Sequence, residues 1–165
     1  MTYQVFDRET ENHEYRKRFA SPFYDKNWTV ALGWKKQGDE CCSVSYHPTK
    51  EDEVPLPIDD DVTMLVGHNI KFDLLYGWED EQLRNFFKRG GRIWCTQYAE
   101  YLLEAMHPES HMVPMDAISE KYGGRTKVDA VKAMWEAGFL TSQIDKDMLI
   151  DYLIGTEEEK RNSGD

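Results

Sequence analysis

No stretch of this chain of 165 residues approaches the ~18 consecutive apolar residues of a membrane span, so none is expected. The opening MTYQVFDRET lacks a basic segment running into an apolar one and does not read as a secretory signal. Cysteine is scarce: Cys41, Cys42 and Cys95 are odd in number and two are adjacent. That argues against both a disulfide framework and a zinc site, and favours a reducing compartment. Positive charge is in short supply too, with a formal net charge of -11. A protein that grips duplex nucleic acid unaided carries a basic patch. Here the cations are local: Arg16-Lys17-Arg18, Lys35-Lys36, Lys88-Arg89 and Arg92. Either the substrate is not nucleic acid, or metal ions, a small contact area or a neighbouring basic domain supply the affinity.

What is present belongs to an ordered globular protein, with 40% apolar and 13% aromatic residues over a length that suits one domain, residues 1 to 165. Strands are expected at residues 3 to 7, ending on an acid, then at 28 to 36 and 41 to 46, the last two separated by the Gln37-Gly38-Asp39 turn. This spacing reads as an antiparallel meander. Residues 47 to 61 carry three prolines and an acid cluster and read as a solvated loop. Beyond Thr63 the pattern changes to a short buried strand at 64 to 66 and a helix starting near Ile70. A helix at 79 to 89 and a strand at 92 to 95 follow. Four more helices are expected, at 98 to 105, 115 to 122, 128 to 137 and 146 to 154, the last with Asp145 as N-cap and Gly155 as its stop. Together these elements predict an α/β domain with a mixed central sheet.

The stretch VGHNIKFDLLY, residues 66 to 76, puts Asp73 among Phe72, Leu74 and Leu75. A carboxylate among apolar neighbours is costly unless it is paired, hydrogen-bonded or bound to a metal. Asn69 and Asp73 are four residues apart and share a helix face; helix capping by Asn69 and a dipole interaction of Asp73 would account for them equally. Asp7-Arg8-Glu9 is the only Asp-x-Glu in the chain. In a strand its two acids point to one side, although a chain with 31 acids yields such a triplet readily by chance.

Taken together, these segments resemble the 3′–5′ exonuclease (proofreading) domain of bacterial-type and phage DNA polymerases, in the four-carboxylate nuclease superfamily. The first motif of that family is matched by Phe6-Asp7-Arg8-Glu9-Thr10. The second is matched by His68-Asn69-Ile70-Lys71-Phe72-Asp73 with its leading strand and trailing Leu74-Leu75. Similarity continues through residues 93 to 97, 99 to 103, 118 to 124 and 149 to 153, so it covers essentially the whole chain. Cys95 departs from the family, which often has Asp there, at a position that is not a metal ligand.

The resemblance implies a ribonuclease H-like fold, an antiparallel meander plus parallel strands flanked by helices. It implies Asp7, Glu9, Asp73 and Tyr152 as catalytic residues, with Thr10, Asn69 and Phe72 against the substrate. The tyrosine branch of the family carries Tyr-x-x-x-Asp on its last helix, but Thr156 stands four residues after Tyr152. Asp151 points about 100° away from Tyr152 around a helix, and Glu157-Glu158-Glu159 reads as a solvated charge run. Asp165, directly after Gly164 as the acid is in the family, is the expected fourth metal ligand, with residues 156 to 163 as an insertion. His111 and Asp116 fit the spacing of the histidine branch but fall too far upstream, and read as a loop histidine and a first-turn helix acid.

Four carboxylates brought together repel, and some take up protons. Oxygen-only ligands suit Mg²⁺ or Mn²⁺, and two such ions about 3.5–4 Å apart would support in-line displacement at phosphorus. The expected substrate is a single-stranded DNA 3′ end, which needs few phosphate contacts and can be held by aromatic stacking. The expected partner is a covalently linked or associated polymerase domain, the chain being the N-terminal part of a longer polypeptide. The expected location is the cytoplasm, that of the host if the chain is phage-encoded. Two other readings stand beside this one: an RNA-trimming exonuclease of the same fold, since the contacts that tell DNA from RNA are to the 2′ position, and a non-catalytic exonuclease-like module that binds nucleic acid.

Overall fold

The computed structural model describes residues 1–104, 107, 109–124 and 129–155. Five strands form one mixed sheet: β1 (Thr2–Thr10), β2 (Thr29–Lys36), β3 (Ser43–Tyr46), β4 (Val62–Gly67) and β5 (Arg92–Cys95). Their spatial order is β3-β2-β1-β4-β5. The first three pair antiparallel as a meander, whereas β4 runs parallel to β1 and β5 parallel to β4. The helices are α1 (Ile70–Tyr76), α2 (Glu81–Lys88), α3 (Thr96–Leu103), α4 (Met115–Lys121), α5 (Asp129–Glu136) and α6 (Lys146–Ile154). The protein is therefore α/β, with a mixed sheet flanked by helices. Among the described residues no helix is long and apolar enough to cross a membrane.

Alternation along the strands sends side chains to two separate cores. Phe6, Leu32, Leu65, Ile70, Leu83 and Phe86 pack together on one side, where α1 and α2 lie. Val30, Ala31, Val131, Ile144, Leu149 and Tyr152 form the second core, against α5 and α6. Helix α6 begins as its sequence predicts, because the Asp145 carboxylate accepts bonds from the backbone N–H groups of Asp147 and Met148. Helix α3 starts two residues earlier than expected, directly off β5 at Thr96.

Two expectations need correction. Residues 47 to 61 are not merely a solvated loop: Leu56 and Ile58 are buried in the first core. Three of the acids around them also hold the loop to the sheet. Lys36 pairs with Asp59 at 2.8 Å and with Asp61 at 2.7 Å, and Glu53 accepts a bond from the Thr29 backbone N–H. Proline-rich spacing signals irregular backbone, but it does not signal exposure. The first strand does not end on Asp7 either. Pairing with β2 carries it on through Glu9, opposite Ala31, to Thr10.

Candidate active site

The two neighbours of β1 end at different heights. On the β4 side the last pairing is Val5 with Val66, while on the β2 side Asp7 faces Gly33 and Glu9 faces Ala31. Asp7 and Glu9 therefore have a strand partner on one side only. On the other side the chain leaves β4 at Gly67 and turns through His68 and Asn69 into α1. A side chain on Gly67 would stand 3.1 Å from Ile70 Cγ1 and 3.3 Å from the Phe6 carbonyl oxygen, so the turn is tight against β1. Asn69 makes it with left-handed backbone, φ 52° and ψ 36°, a conformation asparagine tolerates better than most residues. Asn69 provides no side-chain cap to α1 and is exposed.

This turn delivers Asp73 to the space that β4 has vacated. Asp73 is 3% exposed. Burial pushes its carboxyl well above the ordinary aspartate range, and the nearby Asp7 and Glu9 carboxylates push it further, against the downward pull of the Arg8 guanidinium. Asp7 and Glu9 are thus close enough to Asp73 for their charges to act on it. Asp7 is half-buried and accepts a bond from the Arg8 backbone N–H at 3.1 Å. Glu9 is buried. Among the described residues, no set of three or more His, Cys, Asp or Glu side chains is already disposed as a metal centre. Like-charged carboxylates with no cation between them repel, so a tight ligand cage is not their own lowest-energy arrangement.

The remaining expected site residues divide between the surroundings of this cluster and the cores. Thr10 is buried, and its carbonyl accepts a bond from Thr141 Oγ1 at 2.7 Å. The Tyr76 phenol on α1 donates to the Ala20 carbonyl at 2.9 Å, and burial raises its pKa to about 12. Phe72 is half-buried with its ring tilted against Tyr76, the centroids 5.4 Å apart. Tyr152 is 6% exposed and packs edge-on to Trp135 within the second core. Its neighbours on α6, Leu153 and Ile154, lie over Gly33, the residue facing Asp7. Asp151 is half-buried on α6. Asp165 and the Glu157–Glu159 run lie outside the described residues. His111 is an exposed loop residue bonded to the Glu109 carbonyl, and Asp116 is in the first turn of α4, ion-paired with Lys132.

Two residues that shape the site carry no sequence signal of their own. Arg8, between the two acids, is 6% exposed and donates to Thr29 Oγ1 at 2.8 Å, on the face opposite the Asp7 and Glu9 side chains. Burial lowers its pKa, opposed by Asp73, Glu53 and Asp80. It is an internal counter-charge for an acidic region. Glu11 is fully buried. It accepts bonds from the backbone N–H groups of Thr141 at 2.9 Å and Ser142 at 3.3 Å. With the Thr10–Thr141 bond, this ties the end of β1 to the short helical turn Thr141–Gln143 that leads into α6. Isolated burial of arginine and glutamate is rare, and nothing in local spacing distinguishes these two from surface charges. No protein-family model, curated protein or solved structure matches the chain.

Proposed function

We propose that this protein is a metal-dependent 3′–5′ exonuclease acting on single-stranded DNA ends, in the manner of a polymerase proofreading domain, on a ribonuclease H-like sheet. The observation that carries the proposal is the electrostatic proximity of Asp7, Glu9 and Asp73 where β4 ends and β1 continues. Ionising the buried Asp73 carboxyl beside two further acids costs stability, and a cation held among the three offsets that cost. The donor set is oxygen only, which suits a hard divalent ion such as Mg²⁺ or Mn²⁺. Asp7, Glu9 and Asp73 would hold the ions, with Asp165 as the proposed fourth ligand. Bound there, a pair of such ions supplies a more acidic water and charge stabilisation for an oxygen leaving phosphorus.

In the net reaction a water oxygen attacks the phosphorus of the last phosphodiester, and the P–O3′ bond breaks. A nucleoside 5′-monophosphate is released and the shortened strand keeps a 3′-hydroxyl. Tyr152 is the proposed hydrogen-bonding group for the attacking water, held on α6 by its packing on Trp135. Asn69, exposed at the start of α1, is the proposed contact to the terminal nucleotide, with Phe72 and Thr10 shaping the wall behind the acids.

The test is incubation of a 5′-labelled oligonucleotide with and without Mg²⁺ or Mn²⁺. A ladder shortening from the 3′ end should appear only with metal and vanish in Asp7→Ala. Absence of a ladder with every divalent ion tried would leave the fold without this activity. Running matched DNA and RNA strands side by side separates proofreading-type from RNA-trimming chemistry, because the two differ at the 2′-hydroxyl.

A further inference from the structure

In a chain of net charge -11, Arg16-Lys17-Arg18 is the only run of three cations. These residues are not on a solvated helix face. Tyr15 and Arg18 pair as a minimal hairpin, with Tyr15 N–H donating to the Arg18 carbonyl at 2.8 Å and Arg18 N–H to that of Tyr15 at 3.0 Å. Arg16 and Lys17 form the two-residue tip, with φ of 51° and 64°. Hairpins of this kind favour Asn-Gly or Gly-Gly, because each non-glycine residue in the left-handed region costs roughly 1–2 kcal/mol. A strained tip of two long cations persists only where its surroundings hold it, and such strain clusters at functional sites.

The surroundings do hold it. The Asn27 side chain accepts from His13 N–H at 2.9 Å and donates to the carbonyls of His13 and Ser21. The Tyr15 and Tyr24 rings stack with centroids 4.9 Å apart. The Tyr76 hydroxyl, one turn beyond Asp73, donates to the Ala20 carbonyl at 2.9 Å. The segment is thus fastened to the helix of one proposed ligand and continues from the strand of the other two. Beside the tip, Tyr15, Arg16, Arg18, Ser21 and Phe23 line a concavity of about 450 Å³. Phe19 and Phe23 stand 70% and 74% exposed. Glu14 and Asp25 are the exposed acids of the segment.

We propose that residues 13–27 form a preorganised clamp for single-stranded nucleic acid. Arg16, Lys17 and Arg18 would contact phosphates upstream of the 3′ end, and Phe19 and Phe23 would offer faces for bases. Guanidinium groups beside exposed aromatic rings match the alternating charge and π-faces of a single strand. Rigid placement avoids the cost of ordering long side chains and a loop on binding. Only the placement of the clamp upstream of a 3′ end rests on the exonuclease reading.

The test measures binding of a fluorescein-labelled oligothymidylate by anisotropy in EDTA, where no metal-dependent cleavage occurs, over a range of salt concentrations. Two variants are compared with the wild type: Arg16→Glu/Lys17→Glu/Arg18→Glu and Arg16→Gly/Lys17→Gly. The glycine pair relieves the strained tip, so it folds even if the triple variant does not. Each lost phosphate contact lowers the salt-dependence slope by ~0.7 on a single strand, so the slope should fall by about 2 in the triple variant and about 1.4 in the glycine pair. Affinity should drop about tenfold or more at low salt, while hydrolysis of a dinucleotide, too short to reach the clamp, stays unchanged. Wild-type affinity and slope in the glycine pair would overturn the clamp, even if the wild type is an active nuclease. Tighter binding of duplex than of single strand would overturn it too. Binding that depends on the clamp, in a protein that cleaves nothing with any divalent ion, would uphold the clamp and reject the nuclease.

Discussion

Asp7 faces Gly33 across the β1/β2 pairing, and Gly33 is where α6 presses on the sheet. A methyl group at Gly33 would lie 2.9 Å from Ile154 Cγ2 and 3.1 Å from Leu153 Cγ. Ile154 is β-branched and cannot swing its Cγ2 away freely. Gly33→Ala should therefore lift the helix that carries Tyr152, destabilising the fold by about 1–3 kcal/mol, as overpacking does. Nuclease activity should fall with it. Thermal melts and ladder assays on Gly33→Ala and on Gly33→Ala/Ile154→Ala test this, and the double variant should recover part of both losses.

Asp73→Asn should separate stability from activity. The folded-state pKa of Asp73 lies above its ordinary value of 3.8. The unfolded chain thus releases this proton at lower pH than the native protein does. Below the ordinary value the group has no effect on stability relative to asparagine. As pH rises from there towards the folded-state pKa, the unfolded chain ionises while the buried carboxyl keeps its proton, so stability falls, and the loss is complete above the folded-state pKa. Metal-free wild type should lose melting temperature relative to Asp73→Asn as the pH rises from about 4 to neutrality. Adding Mg²⁺ or Mn²⁺ at neutral pH should close the gap by raising the wild type alone, while turnover of Asp73→Asn drops by orders of magnitude. Equal melting curves across that range would mean that Asp73 is not burdened by its neighbours.

Glu11 should matter more for stability than its position among surface-type residues indicates. It accepts bonds from two backbone N–H groups of the turn before α6 and is fully buried. Glu11→Ala takes the acceptor from Ser142 N–H and leaves Thr141 N–H with only its 3.3 Å bond to Asn12 Oδ1, which costs about 1–3 kcal/mol. Glu11→Gln keeps one carbonyl oxygen and should lose less. Chemical denaturation curves for the two variants give the comparison, and hydrogen exchange should show α6 protection falling before that of β2.

Much of this arrangement is legible in the sequence. The parallel and antiparallel halves of the sheet, the Asp145 cap and the break at Gly67-His68-Asn69 are written in local patterns. So is the oddity of Asp73, an acid in an apolar helix. The rest depends on what pairs with what. The extension of β1 past Asp7 comes from β2, whose contribution no local window contains. The burial of Leu56 and Ile58 comes from packing against Phe6, Leu32, Leu65 and Phe86, all distant in sequence. Arg8 was legible only as the middle letter of a motif, because alternation says which face it takes but not that the face is closed over it.

That closed face gives Arg8 its own measurable role. Its guanidinium lies buried between Thr29, to which it donates, and the charges of Asp73, Glu53 and Asp80. Replacing it with methionine fills similar volume but leaves those carboxylates without their internal cation. Removing one member of a buried charge set typically costs about 3–5 kcal/mol, through the charge left behind rather than the bond lost. Arg8→Met should be strongly destabilised, and adding Asp73→Asn should restore a large share, because the uncompensated charge has gone. The coupling is read from a double-mutant cycle in denaturant, and residues in one charge network give about 0.5–3 kcal/mol. Strict additivity of the two substitutions would show that Arg8 serves Thr29 and the sheet, not the acids of the site.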